Sequence, residues 1–145
     1  MEIKAVKFRK DGFYSQPMVF GGEEGMDKFD AKVKYRGSLQ NYLIDTGDEV
    51  ILVDTGLPAE TPVEVPDENA PAFLGKEISS YMDAFSALGY KPEQVTKILL
   101  THKHPDHSAA LEYFQNAKVF VYPQDADALK LSGENIVRVT YKDGP

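Results

Sequence analysis

Short apolar runs separated by turn-forming residues mark out a succession of strands and helices along the chain. Ile3 to Arg9 alternates with a period of two and reads as a strand, Ile3 and Ala5 lying opposite Lys4, Val6 and Phe8. Asp11-Gly12 signals a turn, and Phe13 to Phe20 a second strand in which Pro17 suits an edge position. Gly21 to Gly25 reads as a loop, either a solvated connection or a cover over a substrate. Ala31 to Tyr35 alternates lysines with Val33 and Tyr35, as a half-exposed strand does. Leu39 to Ile44 and Val50 to Val53 are further strands, joined by Asp45-Thr46-Gly47-Asp48; glycine and aspartate there accept the left-handed angles of a tight hairpin. Val50-Ile51-Leu52-Val53 contains no polar residue, which predicts cover on both faces.

Beyond Asp54-Thr55-Gly56 the pattern changes. Gly56 to Gly75 carries Pro58, Pro62, Pro66 and Pro71 among acids and predicts a long irregular connection, either a binding loop or a tolerated insertion. From Lys76 to Leu88 apolar residues recur at three- and four-residue spacings, predicting an amphipathic helix stopped by Gly89. Val95 to Leu100 follows as a short buried strand, so a crossover and a partly parallel sheet are expected. Ser108 to Phe114 reads as a helix, Lys118 to Tyr122 as a strand, Pro123 to Leu131 as a helix with proline in its first turn, and Ile136 to Tyr141 as a strand. The chain closes on Lys142-Asp143-Gly144-Pro145, which reads as a turn leading onward.

At 145 residues the chain has the size of one domain or one part of a larger one. Its net charge of −7 argues against nucleic acid or an anionic membrane as the main partner. With no cysteine, disulfides and thiolate metal sites are excluded. No apolar run is long enough to span a bilayer and the first residues form no signal core, so a cytoplasmic protein is expected.

The chemistry is concentrated in Thr101-His102-Lys103-His104-Pro105-Asp106-His107, which holds all three histidines of the chain. Imidazole and carboxylate are ordinary ligands for zinc and its neighbours. Two residues apart in extended backbone, His102 and His104 point to one side and can reach one ion. Pro105 disfavours helix at His104, so a helix starts near Asp106 or His107 and aims those side chains from a second element. Asp106 could instead serve only as a helix cap, and Asp54 either caps its loop or is functional.

These residues resemble a known family. Ile98-Leu99-Leu100 followed by Thr101 to His107 resembles the HxHxDH signature of the metallo-β-lactamase superfamily. Asn41 to Ile44, Ile51 to Gly56, and the run from Leu88-Gly89 through Pro92-Glu93 to Thr101 are similar to its N-terminal strands and the approach to that signature. The likeness covers roughly residues 39 to 125. It implies an α/β protein with an αββα sandwich, of which residues 1–145 form a single domain supplying the first half. It further implies one or two metal ions, zinc or else iron or manganese, with His102 and His104 on the first and Asp106 and His107 on the second. Asp54 would stand behind these ligands and orient them, which favours its functional reading. Asp106 would also be the catalytic proton carrier.

The chain departs from the family in two places. Ala109-Ala110 replaces a pair of glycines, and the later ligands are missing, since no histidine follows His107. Each ion is left with two protein ligands where a catalytic zinc usually has three. A half-sandwich would leave an apolar sheet face open, so association with a missing C-terminal half or a second copy is expected. The expected function is hydrolysis of an ester-like bond in a small molecule, a lactone or thioester, by a metal-activated water. The alternatives are a non-catalytic metal-binding or assembly module, and an iron-dependent redox enzyme or phosphodiesterase of the same superfamily.

Overall fold

Leu43, Leu52, Ile98 and Val119 stand side by side on four strands, at most 3% exposed, and form the spine of the molecule's main core. The computed structural model in which they meet describes residues 1–22, 25–62 and 64–140. The chain divides into two compact units, one of Met1–Val6, Asn41–Thr61 and the residues from Ser80 onward, the other of Lys7–Gln40 and Pro62–Ser79.

In the first unit the end of β2 (Lys34–Asp45) pairs antiparallel with β3 (Val50–Val53) through the expected hairpin. Thr46 N–H donates to the Glu49 carbonyl at 3.0 Å, Gly47 N–H donates to Asp45 Oδ1 at 2.8 Å, and Gly47 takes φ 94°. From β3 the sheet continues in parallel through β6 (Val95–Leu99), β7 (Lys118–Val121) and β8 (Ile136–Arg138). Each parallel step is bridged by a helix: α1 (Tyr81–Ser86), α2 (Pro105–Ser108) and α3 (Pro123–Ala128). The partly parallel sheet expected from the helix-then-strand pattern is therefore present. Ser80 caps α1, its Oγ accepting from Asp83 N–H at 3.1 Å. Phe85 packs edge-on against Phe114 with ring centroids 5.2 Å apart, and both are fully buried.

Strand alternation gives this sheet two unlike faces. Adjoining the buried row is a second row, Tyr42, Val53, Leu99, Phe120 and Val137, paired strand to strand. Tyr42 and Leu99 are 42% and 40% exposed, and the others half-buried. The second unit contains most of β1 (Glu2–Ser15), which neighbours β2 and pairs antiparallel with β4 (Ala72–Phe73) and β5 (Lys76–Glu77). Its buried residues include Phe8, Leu39, Phe73 and Arg9, the last 3.8 Å from Glu77.

Several expected elements are corrected. Ile3–Arg9 and the start of Phe13–Phe20 are one continuous strand, with Asp11 at a left-handed φ of 56° inside it and no turn at Asp11-Gly12. Pro17 opens a short π-helical turn instead of an edge strand. Of the strand expected at Ala31–Tyr35 only Lys34 and Tyr35 are extended, and they run on into the strand expected at Leu39–Ile44 as the single strand β2; Ala31 to Val33 form the turn before it. Val50–Val53 is deeply buried on one face only. The helix expected over Lys76–Leu88 keeps only Tyr81–Ser86, since Lys76–Glu77 pairs with β1 and Ser80 sets the helix start. That expected over Ser108–Phe114 is a 3₁₀ turn at Leu111–Tyr113 following α2, and the last helix and strand are shorter than their patterns. Tyr141 and the closing turn lie outside the described residues, as do Glu23, Glu24 and Val63 of the two loops.

Candidate metal centre

The strand β6 ends at Leu99, and residues 100–104 run on in irregular backbone to Pro105, the first residue of α2. His104 is extended, with φ −59° and ψ 146°, as a residue before proline should be. His102 and His104 thus come from the strand end, while Asp106 and His107 ride on the helix. Asp106 does not cap α2: the cap position is His104, and no side chain makes a capping bond there.

The three imidazoles converge. The His102 ring centroid lies 4.7 Å from that of His104 and 4.0 Å from that of His107. His107 Nε2 faces Asp106 Oδ2 at 3.3 Å, and its Nδ1 is 2.8 Å from Asp54 Oδ2. Desolvation holds the His102 imidazole below the usual histidine range; His107 and His104 push the same way, against Asp54 and Asp106. A ring held neutral is in the form that binds metal.

Asp54 is the hub. It is 4% exposed and sits at the end of β3 with a left-handed φ of 63°. Thr101 N–H donates to Asp54 Oδ1 and Thr101 Oγ1 to Asp54 Oδ2, both at 2.7 Å. The carboxylate therefore grips the motif at both ends, through Thr101 and through His107, and is not a loop cap. Sequence reasoning missed the remaining anchors. Thr55 donates to the His107 carbonyl from N–H at 2.7 Å and from Oγ1 at 3.0 Å. Asn41 Nδ2 donates to the Asp106 carbonyl at 3.2 Å, and Ser108 Oγ shares its proton between the Lys103 and His104 carbonyls. Asn41, Thr55 and Ser108 are all buried. A polar residue among the apolar positions of a strand, as Asn41 is, was the signal available.

The metallo-beta-lactamase superfamily model matches residues 37–138. The chain belongs to that superfamily. Among curated proteins it is 29% identical over 90 residues to the N-acyl homoserine lactonase AiiB of Agrobacterium fabrum, covering 58% of this chain and 32% of that one. It is 29% identical over 100 residues to an N-acyl homoserine lactonase of Bacillus cereus, covering 64% of this chain and 40% of that one. The chain thus spans well under half the length of these relatives. Among solved structures, the hydrolase AbOPH of the beta lactamase superfamily is 28% identical with a TM-score of 0.54, over 86% of this chain and 42% of that one. AiiA of B. thuringiensis, with N-decanoyl-L-homoserine at its active site, superposes with a TM-score of 0.65 at 17% identity, over 99% of this chain and 62% of that one. This superfamily member therefore carries about half of the metallo-β-lactamase fold.

Membership implies metal dependence. The motif offers donors of the right chemistry, imidazole nitrogen and carboxylate oxygen, on the strand-end segment and on the α2 turn that follows it. Yet among the described residues no group of three or more His, Cys, Asp or Glu is set to hold an ion. Also among the described residues, no helix is long and apolar enough to cross a membrane.

Proposed function

We propose that this chain carries part of the metal centre of a hydrolase acting on an ester-like bond, with a small-molecule lactone as the substrate class. The observation that carries this reading is the convergence of the His102, His104 and His107 rings on one another, with Asp106 beside His107 and the buried Asp54 carboxylate bonded to His107 from behind. The curated lactonases at 29% identity support the lactone over a thioester. His102 and His104 would hold one ion and Asp106 and His107 a second. Zinc is the favoured metal, supported by a dizinc lactonase among the structural relatives (TM-score 0.52, 19% identity), with iron and manganese as alternatives. A metal bound there would lower the pKa of a water and polarise the substrate carbonyl. Asp106 Oδ2 is the oxygen that would take the proton from the attacking water. Asp54 holds the His107 ring and keeps Nε2 turned toward that site.

The second reading is a metal-binding or assembly module without turnover, supported by the finding that among the described residues no group of three or more donors is set to hold an ion. We also infer that the half-open sheet face of Tyr42, Leu99 and Phe120 is covered by a further segment or by a second copy of the chain. The acidic charge supports neither a nucleic acid nor an anionic membrane as partner.

The test is metal analysis together with lactone hydrolysis, for the protein and for its His102→Ala/His104→Ala variant. The hydrolase reading expects zinc and turnover to disappear together. Turnover retained in the double variant overturns it, and zinc uptake without turnover in the parent selects the module.

A further inference from the structure

We propose that Thr101 is a positioning residue that decides which nitrogen of His102 is offered to a metal, by relaying the charge of Asp54. The proposal deepens the hydrolase reading and rests on it only for what His102 binds. Thr101 Oγ1 lies 2.7 Å from Asp54 Oδ2 and 3.0 Å from His102 Nδ1. A hydroxyl has one proton to give, and a carboxylate has none. The charge-assisted bond to Asp54 takes that proton. What Oγ1 presents to His102 is a lone pair, so Nδ1 of His102 must carry the hydrogen and Nε2 the free electron pair.

The opposite tautomer would set the lone pair of Nδ1 against that of Oγ1, with no proton between them. Turning the hydroxyl away would break its own bond to Asp54 Oδ2, while the N–H bond to Asp54 Oδ1 at 2.7 Å holds the backbone in register. The same carboxylate oxygen acts on His107 directly, 2.8 Å from Nδ1. One buried carboxylate therefore sets the tautomer of two rings, one at first hand and one through a single hydroxyl. In both rings this leaves Nε2 as the ligand atom, and that of His107 faces Asp106 Oδ2 at 3.3 Å. His104 is outside this relay and serves as an internal reference.

The experiment is a long-range proton–nitrogen NMR correlation of the imidazoles in the metal-free protein at about pH 8, where histidine side chains are neutral. The parent and the Thr101→Ser variant should show His102 and His107 protonated on Nδ1. In Thr101→Val, His102 should move to a mixture or to the Nε2 proton while His107 keeps its state. Zinc affinity measured by competition should fall about 10- to 100-fold in Thr101→Val and recover in Thr101→Ser. A parent protein with the His102 proton on Nε2 overturns the proposal without any variant, and so does an unchanged His102 tautomer in a folded Thr101→Val. The relay found without lactone hydrolysis would sink the hydrolase reading alone. Hydrolysis with the wrong tautomer would sink the relay alone.

Discussion

Asp54 combines two costs that a non-functional position would avoid. Its carboxylate is buried, and its backbone sits at φ 63°, where a side chain with a Cβ is strained by about 1–2 kcal/mol. Three hydrogen bonds, two from Thr101 and one from His107, offset both costs. The two effects separate in a pair of variants. Asp54→Ala and Asp54→Gly both lose the hydrogen bonds and should unfold at lower urea, each by about 2–4 kcal/mol. Glycine accepts the left-handed angle, so Asp54→Gly should remain more stable than Asp54→Ala by about 1 kcal/mol. An alanine variant at least as stable as the glycine variant would refute the strain account. At this scale the candidate ligands were legible, because proline and two-residue spacing fix the local geometry of His102 to His107. The anchors were not. Asn41, Thr55 and Asp54 meet their partners 47 to 65 residues away, and no local pattern encodes that distance.

Between β3 and α1 the chain closes on itself at Gly56. A Cβ built there would come within 2.2 Å of the Tyr81 ring, the first residue of α1, which is 3% exposed and packs against Phe114. The ring has nowhere to retreat. Gly56→Ala should therefore destabilise by about 1–3 kcal/mol through this clash, read from the urea midpoint, whereas at the open Gly47 turn a side chain has room and meets only the strain of φ 94°. Element existence was legible where apolar runs were short and well punctuated, as at Val50–Val53, Val95–Leu99 and Lys118–Val121. Element length was not. The apolar period through Ile78 suggested a long helix, yet Ile78 is 47% exposed and its N–H donates to the Phe8 carbonyl beside β1. The capping signal of Ser80 three residues before Asp83 marks the true start, and it outweighs the periodicity.

Taken whole, the first unit has one well-covered sheet face and one that stays half open. A shallow cavity of 320 Å³ lies between Leu99, Thr101, Phe120 and Tyr122 on that open side. If a second copy covers the face, the chain should sediment as an oligomer, and Leu99→Lys should shift it toward monomer while its circular dichroism stays unchanged. A monodisperse parent that binds no hydrophobic dye would contradict this. The superfamily was legible from the motif and its flanking strands, which are locally specified. Which surface covers the open face was not, because that depends on residues facing it from elsewhere.

The anchoring of the motif on Asp54 bears on how the site comes into being. The carboxylate and Thr101 are 47 residues apart, and closing that loop costs the unfolded chain about 3 kcal/mol. It is recovered only when β3 and β6 lie side by side. A peptide spanning residues 95–114 would contain every candidate ligand and none of the order. The ordered histidines are thus a product of the assembled sheet, and the ring signals of His102 and His107 report whether two distant strands have found each other, with no metal needed to read them.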